Sequence, residues 1–164
     1  MDKSQIDAAL RQAQAHVEVG ALAQAEALYR AVIAAAPHCH PAFQELALLA
    51  FKAGNLNLAA ELFHRAIAID STIALYHRNV GEISRRLGRF DAAVQAGRRA
   101  TRLAPADIDA HFNLGLAHAD AKMSAEASES FRAVLDSGCG YGAGSAIGPD
   151  VEYARQRPAK AGAF

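Results

Sequence analysis

Apolar and polar positions succeed one another along this chain with the spacing of amphipathic helices, and the pattern returns every 34 residues without slipping register. Alanines stand at Ala25, Ala59, Ala93 and Ala127. Four places on come rings at Tyr29, Phe63 and Phe131, then small residues at Val32, Ala66, Ala100 and Val134. Glycines at Gly20, Gly54 and Gly88 precede three of the alanines by five positions, and Pro37 and Pro105 close two of the units. Two helices per period are predicted. The first run roughly over 6–19, 41–53, 74–87 and 108–121, the second roughly over 23–35, 57–69, 91–102 and 125–136.

Start and stop signals agree with these spans. Ser4 with Asp7 three residues later reads as a capping box for the first helix. Pro41 suits a first helical turn, where its missing N–H costs nothing. Asn57, Asp91, Asp107 and Ser124 are N-cap candidates, each ahead of an alanine-rich stretch. The three glycines fall where the chain reverses, a place that favours the left-handed backbone glycine tolerates. Lys122 takes that place in the fourth unit, so its turn is expected to be less tight.

Small residues also recur on the first helices, at Ala13, Ala47, Gly81 and Gly115, where short side chains allow close helix approach. Val80–Gly81, Leu114–Gly115 and, less well, Leu46–Ala47 complete the set of a Leu-Gly pair, a small residue, a ring and a closing proline. In these features the chain, over about residues 6–141, resembles the tetratricopeptide repeat family. The resemblance implies an all-α fold, a right-handed α-solenoid of four helix-turn-helix units at about 6–39, 40–73, 74–107 and 108–141. There are departures. Ser71 and Cys139 replace the closing proline, and His16, Ala50, Ser84 and His118 stand where the family favours an aromatic. Gly97 replaces a ring inside a helix, at a backbone cost of about 1 kcal/mol against alanine. The second helix of the third repeat is therefore expected to be the soft point, and Gly97→Ala to raise thermal stability.

After the repeats, placed within 1–137, composition shifts. Gly138, Gly140, Gly142, Gly144 and Gly148 read as a flexible linker in 138–164, followed by a short helix over 149–157 able to cap the last repeat through Val151 and Ala154.

With 164 residues and an apolar fraction of 52%, the chain is long enough for a genuine interior. Its charges cancel, so nothing global argues for nucleic acid or a membrane surface. No apolar run reaches the ~18 residues of a membrane span, and the polar stretch from Met1 to Asp7 lacks the core of a signal peptide. Cys39 and Cys139 make neither a disulfide framework nor a metal motif. A reducing, cytoplasmic setting is the expectation.

Candidate chemistry is thin. Gly142, Gly144 and Gly148 miss the spacing of a dinucleotide fingerprint and follow a helix rather than a strand. His38-Cys39-His40 lacks the remaining ligands of a structural zinc site. His77 with His111, and His16 with His118, occupy equivalent places in different repeats and read as rings at repeat contacts. No nucleophile is placed beside them. The chain is accordingly expected to be non-enzymatic, with no cofactor and no metal.

Charge is segregated. Residues 78–102 carry seven arginines against Glu82 and Asp91, a balance of +5, while 103–137 carry six acids against Lys122 and Arg132, a balance of −4. The arginines are split between two helices without interleaved rings, unlike a nucleic-acid stripe. They read as a solvated surface, or as an acidic-peptide groove at Arg78 and Arg85. Asn79 and Asn113 are again 34 apart. By resemblance to the tetratricopeptide segments of O-linked N-acetylglucosamine transferases, such asparagines form a ladder that grips a bound peptide's backbone, since an amide both donates and accepts. Arg11 and Glu45 hold the equivalent places in the first two repeats, leaving half a ladder. The family's carboxylate clamp is not supplied by Leu10, Gln14 and Glu45, nor by Gln44, Leu48 and Asp109.

These features imply an adaptor whose concave face binds an extended segment or helix of another protein. The residues assigned to that face are Leu10, Gln14, Gln44, Leu48, Phe51, Arg78, Asn79, Glu82, Arg85, Phe112, Asn113 and Leu116. No nucleic acid or membrane is expected as partner, and self-association stays open. Two alternatives remain: the substrate-recruiting arm of a truncated glycosyltransferase-type enzyme, and a secretion-type chaperone. The latter usually carries a helical segment ahead of its repeats.

Overall fold

The computed structural model describes residues 1–136, which form eight helices and no strand. They are α1 (Lys3–Glu18), α2 (Leu22–Ala35), α3 (His40–Lys52), α4 (Leu56–Ile69), α5 (Ala74–Arg86), α6 (Phe90–Leu103), α7 (Ile108–Asp120) and α8 (Ser124–Asp136). Consecutive helices pair as hairpins, and each second helix also packs on the first helix of the next pair. The fold is a right-handed α-solenoid of four such units. The glycine-rich linker, the helix expected over 149–157 and Cys139 lie outside the described residues.

Boundaries fall within one residue of those read from the pattern, except that α1 begins three residues earlier. Its cap is Asp2, not Ser4. Asp2 Oδ1 accepts from the Gln5 N–H and Gln5 Oε1 accepts from the Asp2 N–H, both at 2.9 Å. Asn55, not Asn57, caps α4, with the Leu58 N–H donating to its side chain. Arg89 occupies the N-cap place of α6, and Asp91 lies inside the first turn, where its charge meets the positive end of the helix. Asp107 caps α7 as expected.

The hairpin turns share one geometry. Gly20, Gly54 and Gly88 take φ of +76°, +77° and +72°. In each, the glycine N–H and the next N–H return to carbonyls three and five residues back, the paired bonds of a Schellman motif. Lys122 adopts φ +62° and the same two bonds form, the Lys122 N–H donating to the Ala119 carbonyl at 3.0 Å and the Met123 N–H to the His118 carbonyl at 2.8 Å. The fourth turn is as tight as the others, because the two hydrogen bonds outweigh the Cβ crowding.

The core follows the 34-residue pattern. Ala13, Ala25, Ala47, Ala59 and Ala93 are fully buried where helices touch, and Tyr29, Phe63 and Tyr76 fill the spaces between hairpins. Phe63 and Tyr76 meet across two repeats with centroids 6.2 Å apart. Gly97 is not a defect in this scheme. A Cβ there would stand 3.0 Å from Leu114 Cδ1 and 3.3 Å from Leu114 Cβ, so Leu114 of α7 takes the room a ring would fill. Gly115 shows the converse. A Cβ on it would come within 2.5–2.9 Å of the Phe131 ring, so the ring in the fourth repeat requires the missing side chain.

Candidate functional site

The residues assigned to the inner face lie on the first helices, α1, α3, α5 and α7, and the fold distributes them unequally. Gln14 is exposed, while Leu10, Gln44, Leu48, Phe51, Arg78, Asn79, Arg85 and Asn113 are half-buried. Glu82, Phe112 and Leu116 are buried, at 5%, 9% and 4% exposure. Phe112 and Leu116 belong to an apolar cluster with Val134, against which Phe131 packs, so they serve the last repeat's interior rather than its surface.

The arginines are committed within the chain. Arg78 Nη1 donates to both Asp107 oxygens at 3.0 and 3.1 Å and to Asp109 at 3.3 Å. Asp107 also accepts from the Ala110 N–H as cap of α7, so one carboxylate fastens the third repeat to the fourth. Arg85 donates through Nε to Glu82 at 2.9 Å and through Nη1 to Asp120 at 3.1 Å. Arg86 Nε reaches the other Glu82 oxygen at 2.6 Å, and its guanidinium lies 4.7 Å from the Phe51 ring centre. Burial works against the Arg85 charge, yet Glu82 and then Asp120 overcome it and hold the group firmly protonated. An acidic-peptide groove at Arg78 and Arg85 is therefore not what these side chains form. They are ties between repeats, and Glu82 is buried because two guanidiniums neutralise it.

Asn79 and Asn113 differ from their charged neighbours. Both are half-buried on successive first helices, and among the described residues neither side-chain amide has an intramolecular hydrogen-bond partner. In the second repeat the equivalent place is Glu45, whose carboxylate accepts from Gln44 Nε2 at 2.9 Å. Burial raises its pKa above the ordinary carboxylate value, with Gln44 and Lys52 opposing. Burial, aided by the Glu45 charge, pushes the Tyr29 hydroxyl up to about 12. Tyr76 likewise rises to about 12, from burial first and then from Asp70, Glu45 and Cys39.

The histidines mostly fasten turns. His77 and His111 each bring Nε2 to 3.0 Å of a carbonyl in the preceding loop, that of Ser71 and of Pro105. His40 Nδ1 lies 2.7 Å from the buried Tyr76 hydroxyl, so the His38-Cys39-His40 cluster contributes a structural bond. Among the described residues no three His, Cys, Asp or Glu side chains group as metal ligands. No helix there is long and apolar enough to cross a membrane.

The cross-repeat ion pairs were missed by sequence reasoning. Arg85 and Asp120 are 35 apart, one repeat plus one residue, a spacing that a search for opposite charges near the period would have found.

Two models of tetratricopeptide repeats match the chain, one at residues 10–74 and one at 81–121, together well over half its length. No curated protein matches it in sequence. Among solved structures, a crystal structure of MamA is similar with a TM-score of 0.76 and 20% identity, over 84% of this chain and 80% of that one. A second MamA structure gives 0.73 and 22%, over 96% and 82%. YrrB, described as a TPR protein with an unusual peptide-binding site, gives 0.73 and 21%, over 79% and 66%. The family models add to the eight paired helices, the left-handed turns and the repeating alanine and ring positions: the chain belongs to the tetratricopeptide repeat family.

Proposed function

We propose that this chain is a non-catalytic protein-interaction module that holds an extended segment of a partner protein along the face of α1, α3, α5 and α7. The observation that carries the reading is the pair Asn79 and Asn113. Two amides at equivalent places on neighbouring helices, without partners among the described residues, suit the alternating donors and acceptors of an extended backbone. Half-buried Leu10, Leu48 and Phe51 supply apolar anchors towards the N-terminal end. YrrB, with the same fold and a peptide-binding site of its own, supports this use of the architecture.

Because Arg85 ties Glu82 and Asp120, it has no place in the test variant. Asn79→Ala with Asn113→Ala removes the two amides and leaves every described ion pair intact. At roughly 1 kcal/mol for each amide removed, binding of a peptide selected against the wild-type chain is expected to weaken about thirtyfold. The thermal midpoint is expected to stay unchanged. Full affinity in the folded double variant would remove the reading.

A further inference from the structure

Glu45 stands apart from the other charges on this face. Every carboxylate on α5 and α7 holds a guanidinium: Glu82 holds Arg85 and Arg86 at 2.9 and 2.6 Å, Asp109 holds Arg78 at 3.3 Å, and Asp120 holds Arg85 at 3.1 Å. Glu45, the one carboxylate on α3, has no cation within ion-pair distance among the described residues. Lys52, two turns along the same helix, eases its charge only through space. The two tyrosine hydroxyls that feel the Glu45 charge are engaged elsewhere, Tyr29 donating to Gln14 Oε1 at 3.4 Å and Tyr76 pairing with His40. A half-buried carboxylate with one neutral donor is under-compensated, and a cation brought by a ligand relieves it.

Register says where that cation comes from. Glu45 lies one repeat before Asn79 and two before Asn113, at the same place on its helix. A chain paired through its backbone with both asparagines continues over Glu45, with half-buried Leu48 beside it on α3. We infer that the partner segment carries a lysine or arginine, flanked by apolar residues, which pairs with Glu45. This rests on the groove reading above and adds to it the side-chain class that the groove selects.

Three synthetic peptide pools test it, with the same randomised apolar-rich flanks and arginine, glutamine or glutamate at a fixed central position. Fluorescence anisotropy would compare their binding to the wild-type chain, to Glu45→Gln, to Glu45→Arg and to the Asn79→Ala, Asn113→Ala variant, each checked for an intact thermal transition. The arginine pool is expected to bind at least tenfold more tightly than the glutamine pool. Glu45→Gln, which keeps shape and the Gln44 contact, is expected to erase that preference, and Glu45→Arg to turn it towards the glutamate pool. Binding that needs the asparagines but ignores the central charge, or an arginine preference that survives in Glu45→Gln, overturns the Glu45 assignment and leaves the groove standing. Capture of no pool, or capture indifferent to the asparagines, overturns both.

Discussion

Lys122 holds the left-handed backbone that glycine holds in the other three turns, at φ +62° against +72° to +77°. A Cβ in that conformation costs about 1–2 kcal/mol, partly offset by the smaller entropy loss of a lysine backbone on folding. Lys122→Gly is therefore expected to raise stability by about 1 kcal/mol, read from the urea midpoint; a lower midpoint would contradict this account of the turn. The helical glycines behave oppositely. Gly115→Ala drives a methyl into the Phe131 ring and is expected to cost about 1–3 kcal/mol. Gly97→Ala gains helix propensity but crowds Leu114 at atoms near its backbone, so no rise in the melting temperature is expected, and a clear rise would show that α7 yields easily. His118 supplies a pH dependence. Ser130 donates its hydroxyl to the Glu126 carbonyl, so the His118 Nδ1–H donates to Ser130 Oγ and buried Nε2 has no partner among the described residues. Burial, then Arg98, lower the His118 pKa below 6.5, against the opposing pull of Glu126 and Glu129. The unfolded chain takes up this proton first, so the His118 contribution is complete above about 6.5 and is lost as pH falls below it. Glu45, with its raised pKa, acts with the opposite slope above 4.5, so the His118 share is the difference between wild type and His118→Phe. A wild-type urea midpoint that falls no faster than the variant's between pH 7.5 and 5.5 would remove it.

Among the elements, the hairpins were legible and the ties between them were not. Alanine, ring and glycine recur because each serves a contact that the backbone repeats, so residue class alone fixes eight helices to within a residue at nearly every end. The exception is instructive. Ser4 with Asp7 and Asp2 with Gln5 both offer capping spacing, and the earlier pair prevails because it adds helix while satisfying two backbone donors. Which charged residue meets which depends instead on side-chain reach across neighbouring helices. That is why Arg78 and Arg85 read as ligand groups while they hold Asp107, Asp109 and Asp120. The placement of Asn79, by contrast, was legible, because it depends only on a position in the repeat. Asp107 joins both kinds of information as helix cap and as partner of Arg78. Asp107→Ala loses both and is expected to cost about 2 kcal/mol, whereas Asp107→Asn keeps a competent cap and is expected to cost about half of that. Equal losses in chemical denaturation would deny one of the two roles.

As a whole molecule, the solenoid spends its charges unevenly. The third and fourth repeats are locked by guanidinium–carboxylate pairs along the same helices that carry Asn79 and Asn113. The second repeat keeps a half-buried carboxylate, Glu45, without an ion-pair partner among the described residues and beside apolar side chains. On the groove reading proposed above, such a division supplies a stiffened frame at one end and a selective surface at the other, the preorganisation that keeps the entropic cost of binding low. Amide chemical-shift mapping with a peptide selected against the full chain tests this arrangement most directly. Shifts are expected to concentrate at Gln44, Glu45, Leu48, Asn79 and Asn113, including the side-chain amides of the two asparagines. Shifts confined to α2, α4, α6 and α8, with those amides unmoved, would contradict the account.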